Sequence, residues 1–170
     1  IGKYKVSILR KKIDKINKSV KIKSYKEKAC EKNLGKILSG YDIIVDGTDN
    51  FKAKFLLNKF SIKFRKKLIV AAISKFEGHI FSFNFKQKKS PCLKCFYQSE
   101  PSEDVLDCET DGILGSTAVT TGSLQANEVI KIILNLGKNL NSNIMIIDLL
   151  NLKFRKVLFK KRKGCVCKNI

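Results

Sequence analysis

One histidine, His79, and four arginines are all that this chain of 170 residues contains of either type. The histidine precedes a phenylalanine-rich stretch, where a structural role is expected, and without a second histidine a Ser-His-Asp triad is not favoured. Gly-x-Gly-x-x-Gly and Walker loops are both missing, so these residues hold no phosphate-cradling glycine nest. No apolar run approaches the roughly 20 residues of a membrane helix. The opening Ile1-Gly2-Lys3-Tyr4-Lys5 interleaves charge where a signal peptide needs an apolar stretch.

The scarcity of arginine also bears on the net charge of +20. Nucleic-acid readers use arginine heavily, because its planar fork matches guanine and phosphate edges. Arginine stands only at positions 10, 65, 155 and 162, and lysine supplies nearly all the positive charge. Lysine is spread through every segment beside abundant isoleucine and asparagine, the bias of an A/T-rich coding genome. Lys160-Lys161-Arg162-Lys163 is the only tight basic run and reads as a solvated strand end. Neither a specific nucleic-acid partner nor a membrane is expected.

What is present suits one globular domain spanning 1–170: 44% of the residues are hydrophobic, enough for a sizeable core. Six cysteines without a secretory signal favour metal binding or catalysis in a reducing compartment, and a cytoplasmic location is expected. Cys92-x-x-Cys95 has zinc-knuckle spacing, and Cys165-x-Cys167 is one residue shorter. Together they offer the four thiolates of a closed tetrahedral site that would pin the C-terminal tail to the body. Two ordinary pairs of buried thiols are the alternative.

Apolar residues at 6, 9, 13 and 16 predict a helix, and Val20 and Ile22 a short strand. A helical stretch with Leu34, Ile37 and Leu38 ends at Gly40. Asp42–Asp46 and Leu68–Ala72 read as buried parallel strands around a helix running from Asn50 to about Lys66. Their alternation with helices predicts crossover connections and a mainly parallel sheet. Phe81, Phe83 and Phe85 alternate with Ser82 and Asn84, as in an antiparallel strand buried on one side. A long polar segment follows to about Gly115. Serines and threonines at 116–123 read as turn and helix entry; a helix then runs from about Ser123 to Leu136, with Leu124, Val129, Ile132 and Ile133 inward and Gly137 as stop. Ile144–Leu149 and Phe154–Phe159 complete the strands.

Asp46-Gly47-Thr48-Asp49-Asn50 stands where a parallel strand ends and a helix begins, the sheet edge at which ligands bind in open α/β folds. Two acids with two residues between them there could hold Mg²⁺. The alternative is plain capping by Asp49 or Asn50, with Asp46 ending the strand. Cys108 lies between Asp107 and Glu109, whose carboxylates should raise its thiol pKa. Cys30 reads as a core residue.

These residues resemble the ThiF/MoeB/HesA adenylyltransferases, relatives of ubiquitin-activating enzymes. The resemblance rests, in order, on Gly2-x-x-Lys5-Val6, Asp46-Gly-Thr-Asp-Asn50, Glu77-Gly-His-Ile80 and Pro91-Cys-Leu-Lys-Cys-Phe96. It continues through Cys108, Gly112-Ile-Leu-Gly115, Gly122-Ser-Leu-Gln-Ala-Asn-Glu128, Asp148, Phe154-Arg155 and the last cysteine pair. It implies a Rossmann-like α/β fold, incomplete at its N-terminus, with a four-cysteine zinc site. The implied reaction is ATP-dependent adenylylation of the C-terminal glycine of a ubiquitin-like sulfur carrier ending in Gly-Gly, serving thiamine or molybdenum cofactor synthesis. By resemblance Lys5 contacts the triphosphate, Asp49 positions Mg²⁺ and nucleotide with Asn50 beside it, and Cys108 is a candidate for a covalent intermediate with the carrier. Cys92, Cys95, Cys165 and Cys167 are the implied zinc ligands, and a homodimer is implied. The family's glycine-rich loop is not in this chain, which would then be an inactive fragment alone; a non-catalytic, zinc-stapled carrier-binding module is the competing reading.

Overall fold

The computed structural model describes residues 2–99, 101 and 112–168. Helices α1 (Lys5–Ile16) and α2 (Glu31–Ser39) lead into strand β1 (Ile43–Asp46), helix α3 (Phe51–Lys63) and strands β2 (Lys67–Ser74) and β3 (Glu77–Asn84). A single helical turn, α4 (Leu93–Phe96), and the long helix α5 (Gly115–Leu134) precede strands β4 (Asn143–Asp148) and β5 (Lys153–Leu158). The strands form one sheet in the order β1-β2-β3-β4-β5.

The sheet is mixed, as expected, but its balance differs from the mainly parallel one read from the sequence. Only β1 and β2 pair in parallel, across the α3 crossover; β2–β3, β3–β4 and β4–β5 are antiparallel. For β2 and β3 the reason is connection length. Two residues, Lys75 and Phe76, separate β2 from β3, and so short a link can join only antiparallel neighbours. Lys75 takes a left-handed conformation there, with φ at 46°.

Helices lie on both faces of the sheet. On one face Phe81, Phe83 and Phe85 stack along β3 and pack with Leu34, Leu38, Phe51, Phe55 and Phe60 from α2 and α3. Phe96 closes over Phe81 edge-on and Tyr97 at a tilt, so the segment after Cys92 sits directly on the phenylalanine face. On the other face Ile69, Ile80, Leu140 and Ile147 meet Leu124, Val129 and Ile132 of α5. Strand β3 is therefore covered on both sides, not one: Ser82 is as buried as its phenylalanine neighbours. Gly78 is required where α5 crosses β3, because a Cβ there would lie 2.1 Å from Thr121 Oγ1.

Three further expectations change. Helix α5 begins at Gly115, taking in the serines and threonines expected to form a turn, and ends at Asn135, in the left-handed conformation, before Gly137. Its fully buried residues are Thr117, Thr121, Gln125 and Glu128, whereas Ile133 is exposed. No strand forms at Val20 and Ile22, where the chain is irregular. Helix α1 forms as the periodicity predicts but buries none of its residues among those described.

Candidate functional site at the acidic turn and the cysteine cluster

Strand β1 delivers Asp46 into the layer between sheet and α3, and Asn50 starts α3 by accepting the Ala53 N–H at 2.8 Å. Asp46 is fully buried and committed. It accepts Thr48 N at 2.9 Å, Thr48 Oγ1 at 2.6 Å and Lys54 Nζ at 2.9 Å. Buried, and with both oxygens already engaged by these partners, it is not placed to be one of two magnesium-binding acids, as the spacing had allowed. Asp49 is the available carboxylate. It is exposed, and the Asn50 amide donates to it at 3.1 Å. That hydrogen bond, its own backbone N–H and the positive charges of Lys5 and Lys54 hold its carboxyl below the usual range. Asp49 and Asn50, singled out by resemblance, thus stand at the carboxyl end of β1, and Lys5, at the start of α1, is close enough to contribute to the field at Asp49.

Two residues here were not anticipated. Lys54, one turn into α3, is buried, and its ammonium also donates to the carbonyls of Thr48 at 2.7 Å and Ala71 at 2.6 Å. From the other face of the sheet, Gln125 Nε2 donates to Asp46 O at 2.8 Å and Ile69 O at 3.2 Å. Among 31 lysines (35 basic residues less four arginines) no pattern distinguished Lys54. Its eight-residue offset from Asp46 becomes a signal only once β1 and α3 are known to be adjacent.

The four cysteines of the two pairs converge. Their sulfurs all lie within 4.8 Å of one another, with Cys92–Cys95 at 3.9 Å, Cys92–Cys165 at 3.6 Å and Cys95–Cys167 at 3.4 Å. Four sulfurs about 2.3 Å from one zinc ion stand about 3.8 Å apart in a tetrahedron, so the cluster has the dimensions of a structural zinc site. The short Cys165-Val166-Cys167 spacer does not prevent this; Gly164, at φ 75°, lets the tail turn inward. Burial pushes the Cys92 thiol up, and the neighbouring thiols add to it; Cys167 is pushed up to about 12, again chiefly by burial. Burial opposes ionisation of Cys165 as well, but the Cys167 N–H and the surrounding thiols outweigh it and bring Cys165 down to about 7. A divalent cation in the cluster would favour the thiolate form of every one of these cysteines, because metal ligation requires deprotonated sulfur. Asn58 of α3 anchors the first pair, accepting Leu93 N–H at 3.0 Å while fully buried.

Cys108 lies outside the described residues. Cys30 is half-buried at the start of α2, and His79 is half-buried on β3, away from both clusters.

The sequence pattern that defines the ThiF family matches residues 1–168. The chain belongs to the ThiF family. It is similar to the sulfur carrier protein adenylyltransferase of Thermus thermophilus, 29% identical over 98% of this chain and 64% of that protein. A probable molybdopterin-synthase adenylyltransferase of Gracilaria tenuistipitata is 34% identical over 92% of this chain and 43% of its own length. The adenylyltransferase and sulfurtransferase MOCS3 of Dictyostelium discoideum is also 34% identical, over 98% and 40%. This ThiF-family chain thus spans under two-thirds of these relatives. Among solved structures, Escherichia coli MccB with ATP superposes with a TM-score of 0.81 at 16% identity, covering all of this chain and 52% of that one. That likeness establishes the ThiF fold.

Proposed function

We propose that this ThiF-family chain carries part of the catalytic centre of an ATP-dependent adenylyltransferase acting on the C-terminal glycine of a ubiquitin-like sulfur carrier. The carrying observation is the acidic turn. The parallel edge strand β1 ends in a clamped loop whose exposed carboxylate, Asp49, is held below the usual range by the Asn50 amide, its own backbone N–H and the positive charges of Lys5 and Lys54. The adenylyltransferase names of its relatives support the reading. In the reaction a carrier carboxylate oxygen bonds to the α-phosphorus of ATP as the bond to the bridging oxygen breaks. An acyl-adenylate forms and pyrophosphate leaves. Charge gathers on phosphate oxygens, so fixed cations are what the site must supply.

Asp49 and Lys5 divide that task. Asp49 would hold Mg²⁺, which when bound neutralises phosphate charge; Lys5 would supply a cation to the triphosphate, and Asn50 steadies the Asp49 carboxylate through its amide. The cysteine cluster would hold zinc in a structural role, joining the tail to α4. The test is carrier-dependent exchange of pyrophosphate into ATP by the gene product as its host makes it. Asp49→Ala should lower the exchange rate by about two orders of magnitude or more. Exchange at the wild-type rate in that variant removes Asp49 from its role, and no exchange with any Gly-Gly carrier removes the activity.

A further inference from the structure

We propose that Lys54 is the positioning residue of the acidic turn: its buried ammonium ties one carboxylate and two backbone carbonyls together and thereby sets the direction of the Asp49 side chain. The three acceptors are the Asp46 carboxylate at the end of β1, the Thr48 carbonyl inside the turn and the Ala71 carbonyl on β2, at 2.9, 2.7 and 2.6 Å. An ammonium has three protons, and three acceptors use them all. Lys54 therefore has none left for a substrate and acts through the backbone it holds.

The decisive contact is the one to Thr48. Its carbonyl and the Asp49 N–H belong to one rigid peptide plane, so fixing that oxygen fixes where the Asp49 backbone begins. Little else restrains the turn. A Cβ on Gly47 would meet nothing within 4 Å, and Asp49 itself is exposed. Its remaining attachments are the Thr48–Asp46 bonds within the turn, the Asn50 cap, the Asn50 amide on the Asp49 carboxylate and the Gln125 bond to Asp46 O. An apolar residue at position 54 would fill the layer without the desolvation of a charge, yet it would leave both carbonyls free to swing.

The inference rests on Asp49 acting in the adenylylation proposed above. Its test compares the wild-type gene product with Lys54→Met and with Asp46→Asn/Lys54→Met. The double variant removes both buried charges, so its thermal midpoint should return close to wild type, whereas Lys54→Met alone strands a buried carboxylate. If Lys54 positions the turn, the double variant should still be about a hundredfold slower in carrier-dependent exchange. The loss should fall in kcat, with KM for ATP little changed, and hydrogen–deuterium exchange should rise at residues 47–53 only. Recovery of kcat together with stability overturns the proposal. Should wild type show no exchange activity, the activity reading fails separately, and protection at 47–53 alone decides; wild-type protection in the double variant overturns the positioning role. If the double variant does not fold, Lys54→Arg is read by the same measurements, because it keeps the charge but presents planar donors to three divergent acceptors.

Discussion

Removing metal from the cysteine cluster should cost this domain a large share of its stability, and the structure sets the scale. Cys92 and Cys165 are 73 residues apart in sequence, and their sulfurs are 3.6 Å apart in space. A cross-link closing a loop of that length stabilises by about 4 kcal/mol through the entropy it removes from the unfolded chain. For a domain whose total stability falls in the usual range of about 5–15 kcal/mol, that is a substantial fraction. With a urea slope of about 2 kcal/mol per molar, chelation should lower the unfolding midpoint by about 2 M. Equilibrium urea unfolding with and without a strong zinc chelator is the assay, paired with metal analysis of the purified protein. Trypsin offers a local readout, since the exposed Lys163 immediately precedes Gly164 and Cys165. Cleavage there should be slow in the metal-bound protein and fast after chelation or in Cys165→Ser. Cys30→Ser is the control, since Cys30 stands outside the cluster. Absence of metal in reduced wild-type protein, or an unchanged midpoint after chelation, refutes the reasoning.

Gly78→Ala should destabilise the fold by about 1–3 kcal/mol, because the added methyl meets Thr121 Oγ1 at 2.1 Å. Adding Thr121→Ala should recover much of that loss in urea unfolding; a Gly78→Ala protein as stable as wild type would remove the proposed close approach of α5. Burial lowers the pKa of His79, with Glu77 opposing it at 4.0 Å. The unfolded chain then binds the proton more readily, so stability should rise with pH up to about 6.5 and fall as the solution is acidified below it. Because His79 is the sole histidine, His79→Gln should flatten that slope in a pH series of thermal midpoints, and an unaltered slope would exclude it as the cause.

The parts of the site that were legible in the sequence are those whose chemistry is carried by rare residue types. Cysteines at knuckle spacing announce themselves, and Asp49-Asn50 follows a short β-branched run that does form a strand, although at the sheet edge and with Val45 half exposed rather than buried throughout. Lys54 was invisible for the opposite reason: its role depends on which strand lies beneath α3, and a lysine-rich chain supplies no contrast. Helix α5 misled for a related reason. Its apolar residues at 124, 129 and 132 do face the core, but the positions pressed hardest against the sheet are Thr117, Thr121, Gln125 and Glu128. Small threonines suit the tight crossing over Gly78, and Gln125 and Glu128 find backbone partners, Glu128 accepting Leu140 N–H at 2.5 Å. Such partners arise from tertiary placement, which hydrophobic periodicity does not encode. The antiparallel character of the phenylalanine strand was legible in its alternation, but the helix–strand alternation before it weighed the sheet toward parallel, whereas β1–β2 is its one parallel pair.

Asn50, Lys54 and Asn58 recur every four residues along α3, so one side of a single stiff rod touches both ends of the molecule's chemistry. Eight residues of helix carry them across about 12 Å. At one end the rod grips the loop that presents Asp49, and at the other it grips the amide that follows Cys92. If the knuckle loosens when an ion is removed, the slack should reach the Asp49 turn through this strut, and faster hydrogen–deuterium exchange at residues 47–53 after chelation would register it; unchanged exchange there would show the two ends to be independent.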